Sequence, residues 1–182
     1  MTREPWPKMG GASAARRVAY RVVLLGLLTA LALALSFAEH VLPLPAFLPG
    51  AKLGLANLVT LLALYLFPEW HDAALVLFLR VALGSVFAGG WAFWYSAVGA
   101  ALSFALMCFL RRFDFPMVAV SAAGGIAHNV GQLIAAMLVL RTAALVAYAP
   151  ILTVLGLASG LAIGLLAAAL LPVLRRQGYF WA

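Results

Sequence analysis

The chain has 182 residues, of which 66% are hydrophobic and 9% charged. Average soluble domains carry roughly 25% charged residues, so an ordinary water-soluble globule is excluded, as are disordered and collagen-like chains. A single cysteine, Cys108, leaves no internal disulfide framework and no multi-cysteine metal site, and the formal net charge of +7 has to be read by position.

A membrane helix needs about 20 mostly apolar residues. Runs of that kind predict six spans, near 18–38, 51–67, 73–88, 91–110, 117–140 and 150–174. The breaks between them are the prolines at 43, 45 and 49, then Pro68, then Gly89–Gly90, then 111–116, then 141–150. Proline removes a backbone donor and glycine frees the chain, so each break is a plausible turn. The fold class expected is all-α: a single six-helix transmembrane domain over 16–176, with cytoplasmic tails at 1–15 and 177–182. Arg16, Arg17 and Arg21 before the first run resemble a secretory signal, but its apolar stretch is longer than a usual signal core, and retention is expected.

The basic residues test the count. Six spans starting inside place Arg3, Lys8, Arg16, Arg17, Arg111, Arg112, Arg175 and Arg176 in the cytoplasm, and only Lys52 and Arg141 near the outer surface. Both termini are therefore expected in the cytoplasm of a cell-membrane protein. The charge reads as topology and lipid contact. A nucleic-acid footprint would need base-stacking aromatics beside the basic residues, and none is present. Trp91, Trp94 and Tyr95 fit an outer aromatic belt, and Tyr179, Phe180 and Trp181 an inner one.

Two spans carry small residues four apart: Gly26, Ala30, Ala34 and Ala38 in the first, and Gly156, Gly160, Gly164 and Ala168 in the sixth. Close packing over such faces drives helix association in lipid. Such a face serves internal packing or docking of another membrane protein, and the two are not exclusive, since one helix has more than one face.

An ionisable group at mid-bilayer costs about 2.5–3.5 kcal/mol on insertion scales, so each needs a reason. Arg80 lies near the middle of the third span, and His128, Asn129 and Gln132 near the middle of the fifth. Asn57 lies in the second span below Lys52, and Glu39 closes the first. With the first, third and fifth spans running outward, Glu39 and Lys52 flank an outer mouth, Asn57 lies beneath it, and Arg80 and His128 lie deeper. These residues are candidates to bind an anionic or heteroaromatic small molecule, arginine offering a planar fork for carboxylate or phosphate. The alternative is a structural network of helix-to-helix hydrogen bonds, with Glu39 and Lys52 as a surface pair. The 39–52 segment, rich in proline, is either a lid or an interfacial loop.

Enzyme signatures are missing from the sequence. There is no nucleotide-binding G-x-x-x-x-G-K-[ST] loop and no serine nucleophile elbow. The three histidines are far apart, so no metal site and no cofactor is expected.

Three stretches carry a resemblance: 49–57 (PGAKLGLAN), 79–84 (LRVALG) and 124–132 (GGIAHNVGQ). With the six-span layout they resemble the Gx transporter family, whose members are often labelled heptaprenyl diphosphate synthase component I. The resemblance covers residues from about 20 to 174 and contains Lys52, Asn57, Arg80 and His128. The transporter label implies similarity to the substrate-binding S components of energy-coupling-factor transporters, six-helix proteins that bind a vitamin-type ligand from outside. It implies a transmembrane coupling subunit and ATPases as partners, and a flavin- or quinone-related ligand is conceivable. The small-residue face of the first span is similar to the face such components offer their coupler. The synthase label implies prenyl-chain elongation, which uses aspartate-rich motifs to hold magnesium and diphosphate. Here no two acidic residues are adjacent. The expectation is a non-enzymatic substrate-binding subunit, with an accessory subunit for isoprenoid synthesis or flavin- and quinone-linked electron transfer as the alternative.

Overall fold

The structure, a computed structural model, describes residues 14–41, 54–88 and 90–176. Lys52 and the prolines around it, the side chain of Trp91, and Tyr179, Phe180 and Trp181 lie outside the described residues. So do almost all residues of the two expected tails.

Six α-helices follow in order: α1 Ala14–Val41, α2 Leu55–Leu66, α3 Trp70–Ala88, α4 Gly90–Arg112, α5 Met117–Leu140 and α6 Ala149–Arg176. A short 3-10 helix, Ala143–Tyr148, fills the expected break before α6, and there is no strand among the described residues. Local chemistry fixes the ends. Pro116 stands at the N-cap of α5, and Arg141 closes that helix in a left-handed conformation (φ 50°), its N–H donating to Met137 O. Pro172 lies within α6, near its end, where little of the helix remains to be interrupted.

The second span differs most from expectation. Gly54 takes φ 78°, a left-handed conformation that favours glycine, so α2 begins at Leu55 and not at 51. Its 12 residues rise only about 18 Å, against a hydrocarbon core of about 30 Å. Among the described residues four helical runs are long and apolar enough to cross a membrane, Val18–Glu39, Phe93–Arg112, Met117–Leu140 and Ala143–Arg176; of the six expected spans, the second and third are not among them. The protein is thus an all-helical membrane protein, with α2 as a short helix inside it.

Nine of the 12 residues of α2 are buried. A helix apolar all round is the signature of an interior element. It contacts α1, α3 and α6, and Val59, Leu61, Leu64 and Phe67 form the centre of the core with Val76, Met107, Val120 and Ile163. The tightest neighbours are α4, α5 and α6, packed in sequence order, with α5 between the other two.

The contacts also fix which ends lie together. Arg21 of α1 pairs with Asp72 in the first turn of α3. At the other end of α2, Arg175 Nη2 donates to Tyr65 O at 3.0 Å, and the Arg111 guanidinium lies 5.4 Å from the centre of the Tyr65 ring. The start of α1, the turn between α2 and α3, and the ends of α4 and α6 therefore form one basic end of the bundle.

Candidate functional site

At the opposite end, three of the predicted residues meet at the start of α2. The first four N–H groups of a helix have no partner within it and carry a positive partial charge. Gly54 has no side chain to cap them. Glu39, from the last turns of α1, does so instead: its Oε1 accepts from Leu55 N at 2.8 Å. The alternative pairing of Glu39 with Lys52 falls outside the described residues, but this bond gives the carboxylate a defined task.

Asn57 sits in the first turn of α2, its own N–H donating to Gly54 O at 2.7 Å. Its Oδ1 accepts from Arg80 Nη2 of α3 at 3.4 Å, which is long for such a bond. Arg80 Nε is buried with no hydrogen-bond partner among the described residues. Glu39 is the carboxylate whose charge acts on the guanidinium. A permanent cation is thus placed about 15 Å along α3 from Trp70, held by one long bond and turned to a helix start. Asn57 also borders a small cavity of about 20 Å³, with Gly54 on one side and Ser121, Gly124 and Gly160 on the other. That volume admits a single water.

The polar residues of α5 serve other neighbours. Asn129 Nδ2 donates to Leu152 O of α6 at 2.8 Å. His128 and Gln132 lie against α4: a methyl group built at Gly99 would stand 2.8 Å from Gln132 Cγ and 3.2 Å from His128 Nδ1. The structure brings Glu39, Asn57 and Arg80 together, while Asn129 ties α5 to α6 and His128 and Gln132 pack on α4.

The two small-residue stripes part company as well. Gly156, Gly160 and Gly164 are buried. A Cβ on Gly160 would stand 2.6 Å from Ser121 O, one on Gly164 2.9 Å from Val118 Cα, and one on Gly156 2.6 Å from Gly125 O. That stripe is the seam between α5 and α6. On α1, Gly26, Ala30 and Ala34 are exposed and Ala38 half-buried, and a Cβ on Gly26 would meet nothing within 4 Å. The α1 stripe is not packed inside the molecule. The face α1 turns inward carries Leu25, Thr29 and Ala32.

Sequence reasoning missed the pair of Arg21 with Asp72. Asp72 is 3% exposed, and Arg21 Nε donates to its Oδ1 at 2.8 Å. The signal available was an acidic residue within two positions of a helix start, where the helix dipole favours it, and an arginine one turn inside the first span.

A family model described as heptaprenyl diphosphate synthase component I matches residues 28–170. No curated protein and no solved structure matches the chain.

Proposed function

The chain belongs to the heptaprenyl diphosphate synthase component I family, and we propose that it is a membrane-embedded substrate-binding subunit of a small-molecule transporter. The observation that carries this reading is Arg80, whose guanidinium has, among the described residues, one long bond to Asn57 and a buried Nε without a hydrogen-bond partner. Burying a cation in this way is costly unless something completes its shell. A carboxylate or phosphate would do so through the planar fork, and the positive partial charge at the start of α2 would add to the attraction. With both termini in the cytoplasm, the basic end faces inward and the start of α2 faces out. Ligand then enters from the extracytoplasmic side; in the sequence Lys52 precedes Asn57 by five residues. Because the cavity beside Asn57 is water-sized, binding requires the mouth to open. Transport requires a coupling subunit and ATPases supplied by other chains, and the exposed α1 stripe is the face proposed for the coupler.

Native mass spectrometry of gently extracted protein tests this. The expected result is a retained anionic small molecule, flavins and quinone precursors being the first candidates. Arg80→Gln should weaken its retention on the order of 100-fold, as loss of a buried charged partner does, and Asn57→Ala less. His128→Ala should keep it. A wild-type protein that retains and binds no anionic small molecule would refute the reading.

The family description favours a second reading, an accessory subunit beside a catalytic prenyl-chain synthase. Its mark is co-extraction with a soluble synthase subunit and no ligand at Arg80.

A further inference from the structure

Between α3 and α4 lies a second cavity, of about 940 Å³, at the upper end of the size that takes a drug-like or lipid-like guest. Its walls are apolar, with Leu77 and Val81 from α3 and Ala97, Ala101 and Phe104 from α4. The charged side chains that line it are Arg111 and Arg112, both in the last turn of α4. The wall from Phe93 to Arg112 rises about 28 Å, close to the thickness of the hydrocarbon core. The groove is open sideways: Phe78 and Phe109, which line it, are 65% and 58% exposed, an apolar opening that suits contact with lipid.

Shape and charge select the occupant. A polar metabolite would leave most of the wall unmatched. An apolar helix from another protein would desolvate two guanidinium groups without pairing them. A long apolar chain with one anionic head, at the basic end, satisfies both parts. Trp70 lines the same end and is half exposed, as suits an indole at headgroup level. The C-terminus of α4 carries a negative partial charge of its own, so without the two arginines this end would repel a phosphate. Basic pockets between membrane helices hold anionic headgroups on these principles.

We propose that the α3–α4 groove is a lipid-binding site for an anionic phospholipid of the surrounding bilayer, its phosphate at Arg111 and Arg112 and its chain along α4. This site is separate from the start of α2 and does not depend on the transporter reading.

The test is native mass spectrometry of the full chain released from bilayers of phosphatidylcholine and phosphatidylglycerol in equal amounts. The wild type should retain lipid, with phosphatidylglycerol preferred. Arg112→Gln should reduce that preference about fivefold, and the Arg111→Gln/Arg112→Gln pair about thirtyfold, at the usual strength of a basic residue near a headgroup. Ala101→Trp, which obstructs the groove partway along α4 and leaves both arginines in place, should weaken retention of lipid of either class. Circular dichroism melting of each variant reports folding, and Arg112→Gln alone decides the matter if the double variant fails to fold. Equal retention of the two lipids by the wild type overturns the proposal, and so does a preference unchanged in Arg112→Gln. A second copy of the chain in place of lipid, or a prenyl diphosphate that displaces phosphatidylglycerol at equal concentration, also overturns it.

Discussion

Two stripes of small residues, written with the same four-residue spacing, have opposite roles in this molecule. On α6 the three glycines of the stripe are buried, and the backbones of α5 and α6 approach so closely that a Cβ on Gly125 would collide with Gly156 O. On α1 the stripe faces outward, and Gly26 has open space where a Cβ would be. Spacing therefore shows that a helix has a smooth face, and the neighbours decide whether the face is used. The seam of α6 is used because α5 brings a glycine of its own, Gly125, to meet it. The inward face of α1 is instead the conventional one, Leu25, Thr29 and Ala32. That helix is fastened near its two ends, by Arg21 to Asp72 and by Glu39 to the N–H of Leu55. Its smooth face is left free along the length between.

This contrast can be broken by mutation. The largest effect is expected for Gly125→Val, because backbone atoms of α6 stand where the side chain must go. Overpacking of a well-packed seam costs about 1–3 kcal/mol and more when backbone must move, so loss of a cooperative melt in detergent is expected. Asp72→Ala should cost about 1.5–3 kcal/mol, the worth of a hydrogen bond to a charged group, and should free the start of α1 while leaving the α5–α6 seam intact. Hydrogen exchange resolved by helix checks that distinction, and equal loosening of α5 and α6 would contradict it. Asn129→Ala removes one bond across the seam and is expected to cost about 0.6–1.7 kcal/mol, as such bonds do in membranes, read from the denaturation midpoint. The smallest effect is expected for Ala30→Val, within about 0.5 kcal/mol in the isolated protein. A large loss of stability there would mean that the stripe packs inside the molecule after all.

Much of this architecture is legible in the sequence. The fifth span is predicted at 117–140 and α5 occupies those residues, because Pro116 and Arg141 bound a mostly apolar run with no proline inside it. Asn57 and Arg80 stand out as polar residues where polarity is costly, and the structure joins them. Other features need three dimensions. The start of α2 depends on one glycine adopting a left-handed conformation, which composition does not reveal. Arg21 and Asp72 are 51 positions apart, and Asp72 looks like a loop residue until α3 begins at Trp70. Arg111 and Arg112 are read from sequence only as markers of a membrane face. Their place at the rim of an apolar groove depends on the gap between α3 and α4.

The brevity of α2 has a consequence for how the protein is made. Its 12 residues cannot reach from one side of the hydrocarbon layer to the other, and nine of them are enclosed by protein in the finished fold. Such a helix is poorly suited to leave the insertion machinery as a solitary segment. Its place in the bilayer would then depend on α1 and α3, two of the neighbours that bury it, so that errors in inserting those two would become errors in the core.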